Sequence, residues 1–305
     1  MKFFKNLFCK KNKNNFTQTK QIGFYSLNII GYGFVGSSLG HLFEQNNLHF
    51  NVFDPIDKIG DFIYCGNIHS LVLFSESEND INYYFVAVPT PSASDGSCDT
   101  SIVENVLEEL SETITKKSIV LIKSTVVPGT ISKLQDKFNS ELITVLFQPE
   151  FLRENTAKED MYNADFTLIS NSTVENNLLL QDLFINHIYK HKDNTVIFRN
   201  ITELELFKYT LNNYLAVKIW YFNQIYEVCE KINVDYQSLK TLFPLDKRIG
   251  EYGTHVPGPD GKFGYGKKCL KKESKSMVKF LEELELDNSV MTNIVNENIR
   301  MRYKK

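Results

Sequence analysis

The sequence predicts an α/β fold in which a doubly wound parallel sheet is followed by a mostly helical domain. From Leu27 onward, short apolar runs bounded by turn residues alternate with helical patterns, and the strand patterns end near Asn200. Such alternation favours a parallel sheet with right-handed crossovers and helices on both faces. The 305 residues are enough for two domains, each with its own core.

Composition and charge exclude several classes of protein. The net charge of −3 gives no field that would attract nucleic acid. The five cysteines are scattered without a C-x-x-C pair, so no metal site is predicted and a reducing compartment is favoured. No apolar run approaches the roughly 18 residues needed to cross a bilayer. We therefore predict a cytoplasmic protein without integral membrane contact.

Residues 1–26 differ from the rest of the chain. Six lysines and a group of aromatic and apolar residues occur in the first twenty positions without an acidic residue. Such a segment could touch an anionic membrane surface. A disordered leader is the favoured interpretation because short helices are marginal alone.

Five buried strands are predicted in residues 27–199. The runs are SLNII, HFNVFD, YYFVAV, SIVLIKS and LITVLF, and a helix from Phe34 to Gln45 separates the first two. Ligands of such sheets bind at the carboxyl ends of the strands.

Residues 200–305 read as helical. The segment 203–234 is apolar most of the way round, so it should be buried on several sides, either against a second subunit or within one chain. A Gly- and Pro-rich loop follows over 245–263, then an amphipathic helix over about 271–285 and another helix to the C-terminus.

The string GYGFVG matches G-x-G-x-x-G where a predicted strand gives way to a helix. Gly31 permits the tight turn, Gly33 lets backbone approach a pyrophosphate, and Gly36 lets the helix lie close to the strand. Asp54 ends the next strand, where its carboxylate would accept hydrogen bonds from ribose hydroxyls and disfavour a 2′-phosphate. The pattern predicts a Rossmann-like domain that binds NAD. The alternative is that the glycines serve only a turn.

Two further strand ends carry unusual residues. Prolines after YYFVAV and the polar residues after SIVLIK stop both strands at the edge where the nicotinamide half of a dinucleotide would lie. The residues predicted to contact NAD are Gly31, Gly33, Phe34, Val35, Gly36, Asp54, Val88, Pro89, Thr90, Ser124 and Thr125.

Seven strings occur in an order that resembles the UDP-glucose/GDP-mannose dehydrogenase family. They are GYGFVG, VAVPTP, KSTVVPGT, QPEFLRENTA, KYTLNN, VPGPDGKFGYG and KCLKKE, and the similarity covers about residues 27–300. The resemblance implies a dimeric enzyme that oxidises carbon six of a nucleotide-linked hexose to a carboxylate with two NAD and one water. UDP-glucose is the expected substrate, UDP-glucuronate the expected product, and polysaccharide biosynthesis the expected use.

The resemblance also implies roles for individual residues. Cys269 matches the nucleophile, Lys208 and Asn212 the pair that steadies the oxygen at carbon six, and Glu150 the general base for the hydrolytic water. Glu273 matches the residue that orients that oxygen. Thr125 and Glu154 match neighbours of cofactor and water, so Glu154 is also predicted to contact NAD. The substrate contacts implied are Phe151, Leu152, Arg153, Glu154, Lys208, Asn212, Phe263, Gly264, Tyr265 and Gly266, with Arg248 reaching the adjacent subunit.

Physical chemistry agrees with these roles. Lys208 and Asn212 are four residues apart on a helix, so both should face one spot, where a cation and an amide suit a developing oxyanion. A thiolate can capture an aldehyde between two oxidations and leave after hydrolysis. Lys267 and Lys268 would favour the thiolate of Cys269 if they lie close to it. The alternatives are an inert loop cysteine, a solvated helix face and a strand-end turn.

The sequence departs from the family's usual GGKCLPKD at Lys267, Lys271 and Glu273. A side chain at position 267 restricts the backbone, and Glu273 carries its carboxylate one methylene further than aspartate would. Family members usually continue into another α/β domain, so a compact form is expected. The alternatives are a GDP-mannose or UDP-aminosugar dehydrogenase, and a nucleotide-binding homologue with impaired catalysis.

Overall fold

The computed structural model describes residues 9–11, 25–56, 63–76, 81–266 and 268–303, and it describes only the backbone of residues 9–11, 63, 64 and 268. The chain divides into two compact units. Unit 1 comprises residues 1–90 and 100–208, and unit 2 comprises residues 91–99 and 209–305. The basic leader, apart from residues 9–11, lies outside the described residues.

Unit 1 contains all nine strands of the described chain. They are β1 Cys9–Lys11, β2 Tyr25–Ile30, β3 Asn51–Phe53, β4 Ile63–Cys65, β5 Ile81–Val86, β6 Ser118–Ile122, β7 Ile143–Phe147, β8 Phe166–Ser170 and β9 Thr195–Arg199. The first seven form one sheet in the order β1-β4-β3-β2-β5-β6-β7, and β8 pairs with β9 in parallel. All neighbours in the large sheet are parallel except β1 and β4.

The helices of the described chain follow the strands in the expected alternation. They are α1 Phe34–Gln45, α2 Ile68–Glu76, α3 Ser101–Thr113, α4 Thr130–Phe138, α5 Ala157–Tyr162, α6 Val174–Asp182, α7 Ile201–Ile232, α8 Tyr236–Lys240, α9 Lys268–Glu283 and α10 Ser289–Arg302. A π-helical turn, Leu183–Ile188, continues α6, and short 3-10 turns occur at Glu154–Thr156 and Phe243–Leu245.

The period of two along each strand divides unit 1 into two cores. In β5, Tyr84 and Val86 pack with α2, α3 and α4, whereas Tyr83 and Phe85 pack with α1, α5 and α6. Successive strand side chains point to opposite faces, so a strand that is apolar at every position needs helices on both faces. This arrangement confirms the predicted doubly wound parallel sheet.

Unit 2 consists of helices and loops, as predicted. Two small apolar clusters hold it together, one around Phe222 and Tyr236 and the other around Ala216 and Tyr265. The helix α7 begins in unit 1 and continues through unit 2.

The prediction that α7 is buried on several sides within one chain is wrong for one of its faces. Tyr214, Tyr221, Val228 and Ile232 are each half exposed or more. Packing of this face against a second subunit stays a prediction.

Three other expectations differ from the structure. Residues 9–11 of the presumed disordered leader form β1, because β4 offers them an open sheet edge. The pair β8 and β9 was not predicted as strands. The helix predicted over about 271–285 begins at Lys268, so Cys269 lies in its first turn rather than in a loop.

One cysteine also differs from the expectation drawn from cysteine spacing. Cys65 is completely buried and disulfide-bonded, whereas Cys98, Cys229 and Cys269 are thiols. A disulfide requires two cysteines that are close in the folded chain. The spacing of the cysteines in the sequence does not show which of them the sheet brings close, so this bond could not be predicted.

Candidate active site

The glycine turn between β2 and α1 has the geometry that its sequence predicts. Gly31 has a φ of +87°, and a Cβ there would lie 2.7 Å from the carbonyl oxygen of Ala87. A Cβ on Gly36 would lie 2.0 Å from the carbonyl oxygen of Gly31. A Cβ on Gly33 would meet no described atom within 4 Å. Two glycines are therefore required by the fold, and the third leaves open space over the turn.

The open space adjoins the first turn of α1, which begins at Phe34 and includes Val35. A cavity of about 370 Å³ is lined by Phe34 and Ser38 on α1 and by the segment that contains Glu154 and Thr156. The structure therefore brings Phe34 and Glu154, both predicted at the cofactor site, to the same cavity. The N-terminus of a helix presents backbone N–H groups that suit a phosphate, so these residues fit a dinucleotide.

Asp54 lies at the end of β3 and is 8% exposed. Its Oδ2 accepts a hydrogen bond from the backbone N–H of Tyr32 at 2.7 Å, and its Oδ1 accepts one from Ile56 at 2.9 Å. A carboxylate has about four acceptor positions and can accept several hydrogen bonds at once. These bonds fix Asp54 beside the glycine turn.

The ends of β5 and β6 are tied together by side chains. The Thr90 hydroxyl donates to the carbonyl oxygen of Thr125 at 2.8 Å, and the Ser124 hydroxyl donates to that of Val88 at 2.7 Å. Both bonds connect the segment after β5, which contains Pro89, with the segment after β6. Pro89 cannot extend the sheet ladder. The predicted contacts after β5 and β6 therefore lie together at one edge of the sheet.

Glu150 and Lys208 form a buried ion pair in unit 1. The side chain of Glu150 follows β7, and Lys208 lies on α7, with 3.3 Å between Nζ and Oε1. The ammonium also donates to the backbone carbonyl oxygen of Glu150 and lies 5.3 Å from the centre of the Phe151 ring. The other carboxylate oxygen accepts from the backbone N–H of Leu152 at 2.8 Å. Glu150 is therefore held as a base candidate with both of its oxygens in contact with donors.

Two buried groups at this edge were missed by the sequence reasoning. Lys123 follows β6 and donates to Oε1 of Gln148 at 3.0 Å, and it is 2% exposed. Glu205 on α7 is fully buried and accepts hydrogen bonds from the backbone N–H groups of Gly129 and Ile131 at 2.7 and 2.8 Å. Lys123 could have been noticed as a charged residue that closes the apolar run SIVLI. No sequence signal identifies the partners of Glu205.

Unit 2 holds the other candidate residues. Cys269 is the second residue of α9 and is half-buried. One turn later, Glu273 is 1% exposed, and its Oε2 accepts a hydrogen bond from the side-chain amide of Asn212 at 2.7 Å. This carboxylate thus contacts Asn212, which the resemblance also places at the oxygen at carbon six. A thiolate in the first turn of a helix is favoured by the exposed N–H groups there.

The GYG string precedes α9 and is fixed by polar contacts. Gly264 has a φ of +68° and donates its N–H to the side chain of Asn223. The side chain of Asn298 accepts from the Tyr265 N–H at 2.7 Å and donates to the Tyr265 carbonyl oxygen. A Cβ on Gly266 would lie 2.7 Å from the carboxylate of Asp260. Gly264 is therefore needed for its positive φ, whereas the atoms near Gly266 are side-chain ends that can shift.

Both predicted substrate arginines bind carboxylates of their own unit. Arg153 donates to Asp160, with Nη2 and Oδ1 2.6 Å apart. Arg248 pairs with Asp246, and its side chain is 90% exposed. The roles predicted for both arginines at the substrate stay predictions. Of the remaining predicted contacts, Phe263 packs on Tyr226.

Two family descriptions match the chain in succession. The NAD binding domain of the UDP-glucose/GDP-mannose dehydrogenase family matches residues 57–191, and the central domain of that family matches residues 202–300. The chain belongs to the UDP-glucose/GDP-mannose dehydrogenase family. It therefore carries the NAD-binding domain of a family whose members use NAD.

Named relatives agree with this membership. UDP-glucose 6-dehydrogenase of Campylobacter jejuni is 30% identical over 296 residues, which cover 90% of this chain and 72% of that protein. The solved structure of a UDP-glucose dehydrogenase from Pyrobaculum islandicum is 25% identical with a TM-score of 0.77, over 92% of this chain and 69% of the other. GDP-mannose dehydrogenase of Pseudomonas aeruginosa is 22% identical with a TM-score of 0.62, over 90% and 68% of the two chains, and supports the fold alone.

The chain spans about half the length of several other curated relatives of the family.

Two lysines that precede Cys269 are not fully described. Lys267 lies outside the described residues and the side chain of Lys268 is not described, so the expected effect of both on Cys269 stays a prediction. Lys271 is exposed on α9. Among the described residues, no helix combines the length and apolar character needed to cross a bilayer.

Proposed function

We propose that this protein oxidises UDP-glucose to UDP-glucuronate in an NAD-dependent four-electron reaction through a covalent intermediate on Cys269. The observation that carries the proposal is the buried pair of Glu150 and Lys208, which lies in the unit that contains the glycine turn. A buried charged pair costs desolvation and is weak evidence for stability alone. Active sites are places where burial and charged neighbours are arranged around the reacting groups.

Unit 1 supplies the cofactor site and two of the reacting groups. NAD, when bound, accepts one hydride in each of the two oxidations. The glycine turn and the N-terminus of α1 would hold its pyrophosphate, and Asp54 would hold its adenosine ribose. Lys208 would stabilise negative charge on the oxygen at carbon six, because an ammonium in a dehydrated site is worth more than one in water.

Unit 2 supplies the nucleophile. The thiolate of Cys269 would add to the aldehyde carbon, forming a carbon–sulfur bond and a thiohemiacetal. Loss of the second hydride would convert the thiohemiacetal to a thioester. The covalent bond prevents release of the aldehyde between the two oxidations.

Glu150 would complete the reaction as the general base. Its carboxylate would take a proton from water as the water oxygen attacks the thioester carbon, and the carbon–sulfur bond would break to release the carboxylate product. Asn212 and Glu273 would orient the oxygen at carbon six. The 2.7 Å hydrogen bond between them supports this shared role.

Several finer statements accompany the proposal. Residues 151–154 and 263–266 are proposed to bind the nucleotide sugar, and Thr125 to orient the hydrolytic water. A homodimer in which Arg248 reaches the partner's substrate, a role in polysaccharide biosynthesis and a cytoplasmic location stay predictions.

The direct test is to incubate purified protein with NAD and a limiting amount of UDP-glucose and to measure NADH by absorbance. We expect two NADH for each UDP-glucose consumed, with UDP-glucuronate as product. One NADH for each sugar would show that the reaction stops at the aldehyde. No NADH, with NAD still bound in calorimetry, would show a nucleotide-binding protein without turnover.

Substrate identity needs a separate comparison. GDP-mannose and a UDP-aminosugar are offered alone and in competition with UDP-glucose. We expect the largest kcat/KM with UDP-glucose, and a larger value with either rival would replace it as the substrate.

A further inference from the structure

Two buried lysines lie within the electrostatic reach of one buried carboxylate in unit 1. Lys123 is 2% exposed, Lys208 is 4% exposed and Glu150 is 9% exposed. Lys208 pairs with Glu150, whereas the ammonium of Lys123 donates to the neutral amide of Gln148 at 3.0 Å. With both lysines protonated, this cluster carries more positive than negative charge.

Lys123 also links three strands mechanically. Its backbone N–H donates to the carbonyl oxygen of Val86 in β5 at 2.8 Å, and the backbone N–H of Gln148 donates to Ile122 in β6 at 2.9 Å. The side-chain bond from Lys123 to Gln148 therefore fixes the residue that follows β7. Pro149 separates that residue from Glu150, so displacement of Gln148 would displace Glu150.

A second buried ammonium is costly. Burial lowers the pKa of Lys123 to about 8, the Glu150 carboxylate opposes that shift, and the Lys208 ammonium adds to it. Among the described residues, Glu150 and Lys208 are the charged groups whose field reaches Lys123. Replacement of buried charges by apolar groups of similar volume is often neutral or stabilising. Stability alone therefore gives no reason for a lysine at this position.

We propose that Lys123 is a positioning residue for the reaction: it fixes the segment that carries Glu150 and supplies excess positive charge to the Glu150 and Lys208 pair. This inference rests on the proposed function, because the excess charge favours the negative charge that develops on the substrate oxygen beside Lys208. Lys123 acts through these two residues.

The first test measures NADH formation by the wild-type protein and by Lys123→Met as a function of pH. Removal of one direct donor to an oxyanion costs about 10²- to 10³-fold, so we expect a smaller loss of about 10-fold for this indirect group. The ratio of the two rates should be largest below about pH 8, where Lys123 is an ammonium, and should fall above it. At high pH the ratio should level off at a smaller value above one, because the neutral amine of Lys123 still donates to Gln148.

The matched control is Lys133→Met, which removes an exposed lysine on α4 of the same unit. It should follow the wild-type rate at every pH. A wild-type to Lys123→Met ratio that does not change with pH would overturn the inference. If Lys123→Met fails to fold, Lys123→Gln replaces it, with the same expected dependence on pH.

The second test needs no turnover. The pKa of Lys123 is lower in the folded protein than its ordinary value of 10.5, so the unfolded chain binds more protons between about pH 8 and 10.5. The free energy of unfolding of the wild-type protein should therefore gain a contribution as pH rises through this window. Lys123→Met should lack that gain and Lys133→Met should keep it. Identical pH profiles of the unfolding free energy for the wild type and Lys123→Met would show that the pKa of Lys123 is not lowered in the folded protein.

The two tests separate this inference from the proposed function. The wild-type protein could form no NADH and still show the gain in unfolding free energy between about pH 8 and 10.5 that depends on Lys123. That result would refute the reaction and the positioning role, but the excess positive charge of the cluster would stand. Wild-type protein that forms two NADH with a ratio independent of pH would refute the role of Lys123 and leave the reaction.

Discussion

Two buried polar pairs on α7 offer a comparison between the units. Lys208 is the last residue of unit 1 and pairs with Glu150, which is 58 residues away in the chain. Asn212 belongs to unit 2 and donates to Glu273, which is 61 residues away. The first pair joins two opposite charges near a third charge, and the second joins a neutral amide to a carboxylate. Spacing of four residues predicted that the helical residues are neighbours, but only the fold supplies the two different carboxylates.

The largest expected effect concerns the nucleophile of unit 2. Cys269→Ser should reduce UDP-glucuronate formation by at least about 10³-fold, because a serine hydroxyl is a far weaker nucleophile than a thiolate and leaves less readily. The measurement is product yield by chromatography. Cys98→Ser, which changes another thiol of the same unit, is the control and should keep wild-type yield. Unchanged yield in Cys269→Ser would remove the covalent route.

The two carboxylates should respond differently to the loss of their charge. Glu150→Gln leaves the buried ammoniums of Lys123 and Lys208 without a carboxylate, and removal of one member of a buried pair costs roughly 3–5 kcal/mol. Glu273→Gln keeps an oxygen that can accept from Asn212 and loses a long ion pair, 3.9 Å, with Lys272, so we expect a cost of about 1 kcal/mol. Denaturant unfolding of both variants measures the difference. Equal costs would contradict the distinction between a charged cluster and an amide pair.

The glycine turn allows structure and cofactor binding to be separated. Gly36→Ala places a Cβ against the Gly31 carbonyl and should destabilise unit 1 by roughly 1–3 kcal/mol. Gly33→Ala meets no described atom within 4 Å and should unfold like the wild type. The same Cβ should weaken NAD binding if the pyrophosphate occupies that space. Thermal unfolding measures the stability of both variants, and calorimetry measures their affinity for NAD. If Gly33→Ala bound NAD as tightly as the wild type, the pyrophosphate would not occupy the space over Gly33.

The smallest expected effect concerns Glu205. Burial raises the pKa of Glu205 above its ordinary value, and the hydrogen bonds from Ile131 and Gly129 oppose that rise. A carboxyl whose pKa is raised in the folded state contributes stability below its ordinary pKa and loses it as pH rises through the folded value. Wild-type unfolding free energy should therefore fall across that window relative to Glu205→Gln. Parallel pH profiles would contradict the raised pKa.

Most of unit 1 could be predicted because its signals are local. Gly31, Gly36 and Asp54 lie within one strand, helix and strand, and the geometry of the turn requires them. The carboxyl ends of parallel strands meet at one edge, so the segments that contain Thr90 and Ser124 could be placed together without a structure.

The remainder depended on contacts between distant segments. Lys123 was missed because a lysine after an apolar run resembles a strand end in solvent, and its amide partner comes from the next strand. The ion pair of Arg153 with Asp160, seven residues later, was not predicted either, because it depends on how the chain turns after β7. Cys269 was placed in a loop because the glycines before it are typical of loops, and the sequence did not indicate that α9 begins at Lys268. In unit 2 the roles of the residues came from the resemblance alone.

The most direct test of the central claim is to identify the covalent intermediate. Wild-type protein is mixed with NAD and UDP-glucose, quenched in acid at successive times within the first turnovers, digested and analysed by peptide mass spectrometry. We predict that the peptide containing Cys269 gains the mass of a UDP-glucuronyl group in thioester linkage, and that the peptide containing Cys98 does not. NADH formation with an unmodified Cys269 peptide at every time would contradict the account.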